Sequence, residues 1–211
     1  MIAYLDFDYT IYDTARMEDD LHQIFRPYGV TRADFDETYY QSLCSVSPFI
    51  YDYSFEEHYG IMRERGFDVP ISTIEQMYGV LKNDYLYEGA RELVDSLNRT
   101  TDLILLSAGD GKFQTNKFRE TGIFEKFKTV KVVSSNEEKR DFVGQMSGDS
   151  DFVFINDNLR ENILIRDKFL QGKIVTKKNN RKYKNEDYEK SGLPYFENLF
   201  DIKNYVTDII K

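Results

Sequence analysis

The amino-acid sequence predicts an α/β protein: a Rossmann-like, three-layer core on a mainly parallel sheet, with a four-helix unit inserted near its start. Three observations predict this. A short apolar run at residues 2–6 reads as a buried strand with no partner strand close by in the chain. Four amphipathic helical segments then follow in succession up to about residue 85. From about residue 86, apolar runs alternate with helical ones, the pattern of right-handed βαβ units and a parallel sheet. A lone strand finds no ladder inside a helical bundle, so the first strand belongs to the later sheet. The expected division is a core of residues 1–14 and 86–211 and a helical insertion of residues 15–85.

Each element has its own signal. In "MEDDLHQIFRPY", Leu21, Ile24, Phe25 and Tyr28 share one helical face, and Gly29 supplies a stop. "TRADFDETYYQSL" opens with Thr31 and Asp34 in capping positions and carries Phe35, Tyr39 and Leu43 at helical spacing. "SFEEHYGIMRERG" has a Ser54/Glu57 capping box, then Phe55, Tyr59 and Met62, and ends at Gly66. "STIEQMYGVLKNDY" repeats the device with Ser72 and Glu75. In the second half, helix "GARELVDSLN" leads to strand "DLILLS", "KFQTNKFRETG" to "TVKVV", "EEKRDFVGQM" to "FVFIN", and "LRENILIRDKFLQG" to "KIVT". The polar stretch 177–192 reads as a solvated loop before a last helix, "FDIKNYVTDIIK".

Composition bounds the function. A chain of 211 residues, 41% hydrophobic and 15% aromatic, can bury a sizeable core. A formal charge of -9 argues against a general nucleic-acid or anionic-membrane binder. Cys44 is the only cysteine, which rules out an intramolecular disulfide or a cysteine-cluster metal site and fits a reducing compartment. Acid at Asp6 comes too soon for a signal-peptide apolar region, and no later run is long enough to span a bilayer, so the expected location is cytoplasmic.

Ligands of open parallel sheets sit beyond the carboxyl ends of the strands. After the first strand stand Asp6, Asp8 and Thr10; after "DLILL", Ser107, Ala108 and Gly109; after "VFIN", Asp157, Asn158 and then Glu161. Lys139 opens the helix after "TVKVV". Residues two apart in extended chain point the same way, so Asp6 and Asp8 address one volume. With Asp157 they repel unless a cation is present, and a few hard oxygen ligands suit Mg²⁺. A dication beside Lys139 and Ser107 makes a site for a phosphoryl group.

These residues resemble the motifs of the haloacid dehalogenase superfamily: D-x-D-x-T in "DFDYT", a serine closing the strand in "LILLSAG", a lysine in "NEEKRDF" and an acidic terminus in "VFINDNLRE". The order matches along nearly the whole chain, and the helical insertion is similar to that family's C1 cap. The resemblance implies a Mg²⁺-dependent hydrolase, a phosphatase acting on a small phosphorylated metabolite. It implies that Asp6 is the nucleophile and that Asp8 protonates the leaving group and then activates water. Ser107 and the backbone amide of Gly109 would bind phosphoryl oxygens, with Thr10 among the substrate-binding groups. Lys139 would offset charge on Asp6; Asp6, the carbonyl of Asp8 and Asp157 would hold the metal, with Glu161 in the outer shell. The cap would exclude water and choose the leaving group.

Three departures stand out: Tyr9 where many relatives carry glycine, Asn156-Asp157-Asn158 where Asp-Asp or Gly-Asp is usual, and Glu161 where Asp is common. Asp8 favours phosphoryl transfer over dehalogenation, since the family's dehalogenases lack an acid there and use no magnesium. A phosphomutase on the same scaffold is the alternative within enzymes; a receiver-like or non-catalytic phosphoryl-binding protein is the alternative outside them. Lys131 competes with Lys139 but falls inside a strand. His22 and His58 read as surface or half-buried side chains of the helical insertion, and the basic cluster at 177–184 as part of a solvated loop.

Overall fold

The computed structural model describes residues 1–44 and 52–210. Six strands form one sheet: β1 (Ile2–Leu5), β2 (Asp102–Ala108), β3 (Thr129–Val133), β4 (Phe152–Asn156), β5 (Gly172–Lys177) and β6 (Tyr195–Phe196). Their spatial order is β3-β2-β1-β4-β5-β6, and every neighbouring pair is parallel. The first strand therefore lies at the centre of the sheet, with Leu5 beside Leu105 on one flank and Ile155 on the other. Centrality explains its sequence: a strand covered on both faces is apolar without alternation, and Ala3, Tyr4 and Leu5 are all fully buried.

The pleat sorts side chains to two cores. Ala3, Leu5, Leu103, Leu105, Val153 and Ile155 join one apolar cluster, and Tyr4, Ile104, Leu106, Phe152 and Phe154 join the other. The first face is covered by α5 (Ala90–Thr100), α6 (Gly111–Glu120) and α10 (Leu199–Ile210) through Leu93, Phe118 and Ile202. The second is covered by α7 (Asn136–Ser147), α8 (Leu159–Lys168) and α9 (Asn185–Ser191) through Val143, Ile165 and Tyr188. The result is the three-layer α/β architecture that the alternating pattern predicts.

Between β1 and α5 lie α1 (Thr14–Phe25), α2 (Arg32–Leu43), α3 (Phe55–Glu64) and α4 (Thr73–Val80). Their caps follow the sequence fully at Thr31, supply only half of the expected box at Ser54, and depart at Ser72. Thr31 and Asp34 form a reciprocal capping box, and the Ser54 hydroxyl accepts from the Glu57 amide. Ser72 makes no such bond: its own backbone is already helical, and the chain enters α4 through a turn in which Thr73 donates to Pro70. Buried apolar residues of these helices, among them Phe25, Phe35, Phe55 and Met62, belong to the same cluster as Leu5 of the sheet and Phe113 of α6.

The reading of 177–192 as a solvated loop holds for the exposed residues 180–182 and 184 but fails at both ends of the stretch. Lys177 closes β5, residues 185–191 form α9, Tyr188 is fully buried, and the side chains of Lys177 and Lys178 are covered. The Lys177 ammonium lies 5.1 Å from the Tyr87 ring centre, while Lys178 pairs with Glu197 at 2.6 Å. Aliphatic stems cover apolar surface while the charged ends find partners, which a count of charges along the chain does not reveal. The two-residue β6 was not expected, and the last residue of the expected final helix, Lys211, lies outside the described residues. Among the described residues no helix is long and apolar enough to cross a membrane.

Candidate active site

The sheet reverses its winding direction between β1 and β4, and the crevice beyond those two carboxyl ends is where a parallel sheet leaves room for a ligand. Asp6 follows β1 directly, and its amide still donates to Ile155 of β4 at 2.9 Å. The chain then turns tightly: the Phe7 carbonyl accepts from the amides of Thr10, Ile11 and Tyr12 at 3.2, 3.0 and 3.1 Å. Phe7 anchors the turn, fully buried and stacked on Tyr12 with ring centres 4.6 Å apart. Tyr9 completes the turn with φ of 59°, the left-handed region that L-residues occupy at a cost of about 1–2 kcal/mol. That geometry accounts for the glycine usual at this place. Tyr9 faces the cavity, and its hydroxyl donates to Glu18 of α1 at 2.5 Å.

Asp6 is held from two sides. Lys139 donates to Oδ1 at 2.7 Å and the Thr10 hydroxyl to Oδ2 at 2.9 Å. Lys139 also reaches Glu161 at 3.3 Å. Burial works to lower the lysine's pKa, but the carboxylates of Asp6 and Glu161 more than reverse it, so the ammonium stays charged. Lys131, by contrast, is exposed on β3. Thr10 is fully buried and does not line the cavity; it accepts from the Asp157 amide at 3.0 Å while donating to Asp6. Its expected place among substrate contacts is corrected: it ties the end of β1 to the end of β4.

The Asn156-Asp157-Asn158 run divides its work. Asn156 donates to Glu161 at 2.6 Å, and the Asn158 side chain caps α8 and receives the Tyr183 hydroxyl at 2.8 Å. Asp157 alone of the three presents a carboxylate to the cavity, with Asn179 donating to its Oδ2 at 2.8 Å. Burial and the nearby Asp6 charge push the Asp157 carboxyl up to about 7. One oxygen of Glu161 is buried without a partner among the described residues, and burial with the Asp6 charge raises its pKa despite Lys139. Two buried acids whose charge is disfavoured by burial and by Asp6, one of them carrying such an orphaned oxygen, suit a hard dication. Among the described residues no three His, Cys, Asp or Glu side chains could hold a metal by themselves. A cation here would rest on Asp6, Asp157, the Asp8 carbonyl and water, as Mg²⁺ accepts.

Ser107, at the end of β2, lines the cavity as expected. Gly109 lines it too, but its amide donates to the Val133 carbonyl at 2.8 Å, so the expectation that this amide binds a phosphoryl oxygen is corrected. The glycine is required for another reason. Its φ is 153°, and a Cβ there would lie 2.7 Å from the Gln114 side chain.

Asp8 shows contacts that sequence reasoning missed. Thr14 donates to its Oδ1 at 2.6 Å, Gln114 to its Oδ2 at 2.8 Å, and Lys117 forms an ion pair with Oδ1. Burial works to raise the Asp8 carboxyl; these three partners together hold it below the ordinary carboxylate range. The available signal was a charge on an apolar stripe: Phe113, Lys117 and Phe118 share the buried face of α6. Asn179 and Lys182 were missed because their segment read as solvated. The cavity lined by Asp8, Thr14, Gln114, Lys117 and Lys182 is about 240 Å³, and its far wall is made by Glu18, Tyr39, Leu43 and Tyr53 of the helical insertion.

Strand order, crossover pattern and a carboxylate centre at the reversal point define a Rossmann-like α/β protein with an acid-lined crevice at the end of its sheet. The fold is that of the haloacid dehalogenase-like hydrolases. A haloacid dehalogenase-like hydrolase from Burkholderia xenovorans superimposes with a TM-score of 0.71 at 18% identity, over 96% of this chain and 94% of the other. The HAD-hydrolase YfnB from Bacillus subtilis, bound to magnesium, matches with a TM-score of 0.64 at 17% identity, over 97% of each chain. A protein from Thermotoga maritima described as a β-phosphoglucomutase matches with a TM-score of 0.67 at 12% identity, over 99% of each. An L-2-haloacid dehalogenase has this fold as well. No protein-family model and no curated protein matches the sequence.

Proposed function

We propose that this protein is a Mg²⁺-dependent phosphatase that hydrolyses a small phosphorylated metabolite through an aspartyl-phosphate on Asp6. The observation that carries the reading is the pairing of Asp6, buried between Lys139 and Thr10, with a second acid, Asp8, on the same cavity. A dehalogenating centre has no use for that second acid.

In the proposed reaction an Asp6 carboxylate oxygen attacks phosphorus, the ester P–O bond breaks, and the leaving oxygen takes a proton from the protonated form of Asp8, the minor form beside Lys117. Water then attacks phosphorus, Asp8 takes its proton, and inorganic phosphate departs as Asp6 is regenerated. Magnesium, when bound, would neutralise phosphoryl oxygens and the acids that face them. Lys139 aims Asp6 and offsets its charge, and Ser107 stands at the cavity to receive a phosphoryl oxygen. The helical insertion acts as a cap: Tyr39, Leu43 and Tyr53 enclose the leaving group and exclude water, and the 240 Å³ volume suits a small one.

The test is hydrolysis of an aryl phosphate and of a panel of phosphorylated metabolites by the purified protein with Mg²⁺. Turnover that disappears with a chelator and falls at least about a thousand-fold in Asp6→Asn is the expected result. Full activity in that variant rejects the nucleophile. A phosphomutase, the second reading, shares this fold, and would instead isomerise a sugar phosphate in the presence of a bisphosphate.

A further inference from the structure

We infer that Lys117 and Gln114 of α6 are positioning residues that fix the Asp8 carboxylate for proton transfer, an inference that rests on the phosphatase reading. Lys117 is 2% exposed, and its one carboxylate partner among the described residues is Asp8. The ammonium also sits 5.3, 5.0 and 5.2 Å from the ring centres of Phe7, Tyr12 and Phe113. Gln114, also buried, spans two groups through Nε2, giving 2.8 Å to Asp8 Oδ2 and 3.2 Å to the Ala108 carbonyl.

Packing alone does not call for this arrangement. A charge in an aromatic cage is costly to desolvate, and an apolar side chain of the same length would fill the space with no penalty. Lysine is sustained there by Asp8. The placement is built from fixed parts: Gln114 and Lys117 are three apart on one helical face, and α6 begins directly after β2. The cavity-facing glycine makes room for it, since any Cβ at 109 would displace Gln114. Asp8 itself lies on a loop, where a carboxylate has wide rotational freedom. With Thr14 on one oxygen beside Lys117, and Gln114 on the other, both oxygens are fixed from a rigid helix and from the start of α1. A proton donor displaced by about 1 Å can lose a hundred-fold in rate, so the device acts on turnover while leaving substrate affinity alone.

The experiment compares wild type with Lys117→Met and Gln114→Leu, each checked for folding by circular dichroism. Steady-state kinetics use the best substrate of the panel, and single-turnover phosphoenzyme formation uses 4-nitrophenyl phosphate against an alkyl phosphate. Expected are a fall in kcat of about a hundred-fold for Lys117→Met and about ten-fold for Gln114→Leu, with KM within three-fold of wild type. The loss should be smaller for 4-nitrophenyl phosphate, whose phenolate departs without a proton. A second measurement is independent of activity: thermal unfolding of Asp8→Asn, Lys117→Met and the double variant. If Lys117 is sustained by Asp8, adding Lys117→Met to Asp8→Asn raises the melting temperature, whereas Lys117→Met alone lowers it. Unchanged kcat in an active Lys117→Met, or additive melting shifts, overturns the inference. Absence of turnover in wild type overturns the phosphatase reading and the catalytic role together, and the unfolding cycle still decides whether the pair holds Asp8.

Discussion

Tyr9 shows how a single residue joins strain to function. Its left-handed backbone costs about 1–2 kcal/mol, and its hydroxyl returns part of that through Glu18. Tyr9→Phe keeps the strain and loses the hydrogen bond, so urea unfolding should show a loss of about 1–2 kcal/mol. Tyr9→Gly relieves the strain while losing the same bond, and should be the more stable of the two. At Gly109 the prediction has the opposite sign. Gly109→Ala brings a Cβ within 2.7 Å of Gln114 and should lower kcat toward the value of Gln114→Leu, while Ser107 keeps its place. The carboxylates, Ser107 and Lys139 were legible in the sequence because each stands at a strand end or a helix start. Lys117 was not, because its partner lies 109 positions away and only the packing of α6 on the β1 turn brings them together.

At the scale of elements, α3 carries a pH response. His58 is fully buried, with Tyr53 at 2.9 Å on Nδ1 and Thr38 at 3.0 Å on Nε2, and burial lowers its pKa to about 3. This corrects the expectation of a surface or half-buried histidine. The neutral ring is the folded form, so its contribution is complete above the unfolded value near 6.5 and is lost as pH falls toward 3. The slope is about 1.4 kcal/mol per pH unit in that window. Urea unfolding between pH 7 and pH 4 should show the loss, and His58→Gln should flatten it. On the other face, α9 serves the site from a distance: Tyr188 receives the Asn179 amide at 2.7 Å, and Asn179 holds Asp157. Tyr188→Ala should cost about 3–5 kcal/mol in urea unfolding and, under the proposed function, weaken the Mg²⁺ binding that calorimetry would measure. The helix escaped sequence reading because its surroundings are charged, and one aromatic in seven residues makes no periodic stripe.

For the molecule as a whole, one apolar cluster runs from the sheet into the inserted helices. The Phe113 ring of α6 meets Tyr53 and Phe55 at 4.9 and 5.0 Å. Chemical unfolding followed by far-ultraviolet dichroism and by tyrosine fluorescence should therefore give coincident single transitions; two separated transitions would show the helices unfolding alone. The sequence by itself determined the layers, the insertion between β1 and α5, and the residues beyond β1, β2 and β4, because hydrophobic period and strand-end position are local properties of a chain. Only the tertiary structure decided what each acid faces. Asp6 meets Lys139 and Thr10, Asp8 meets Lys117 and Gln114, and Asp157 meets Asn179. Burial and the nearness of charges set ionisation and aim, and both arise when distant segments pack together.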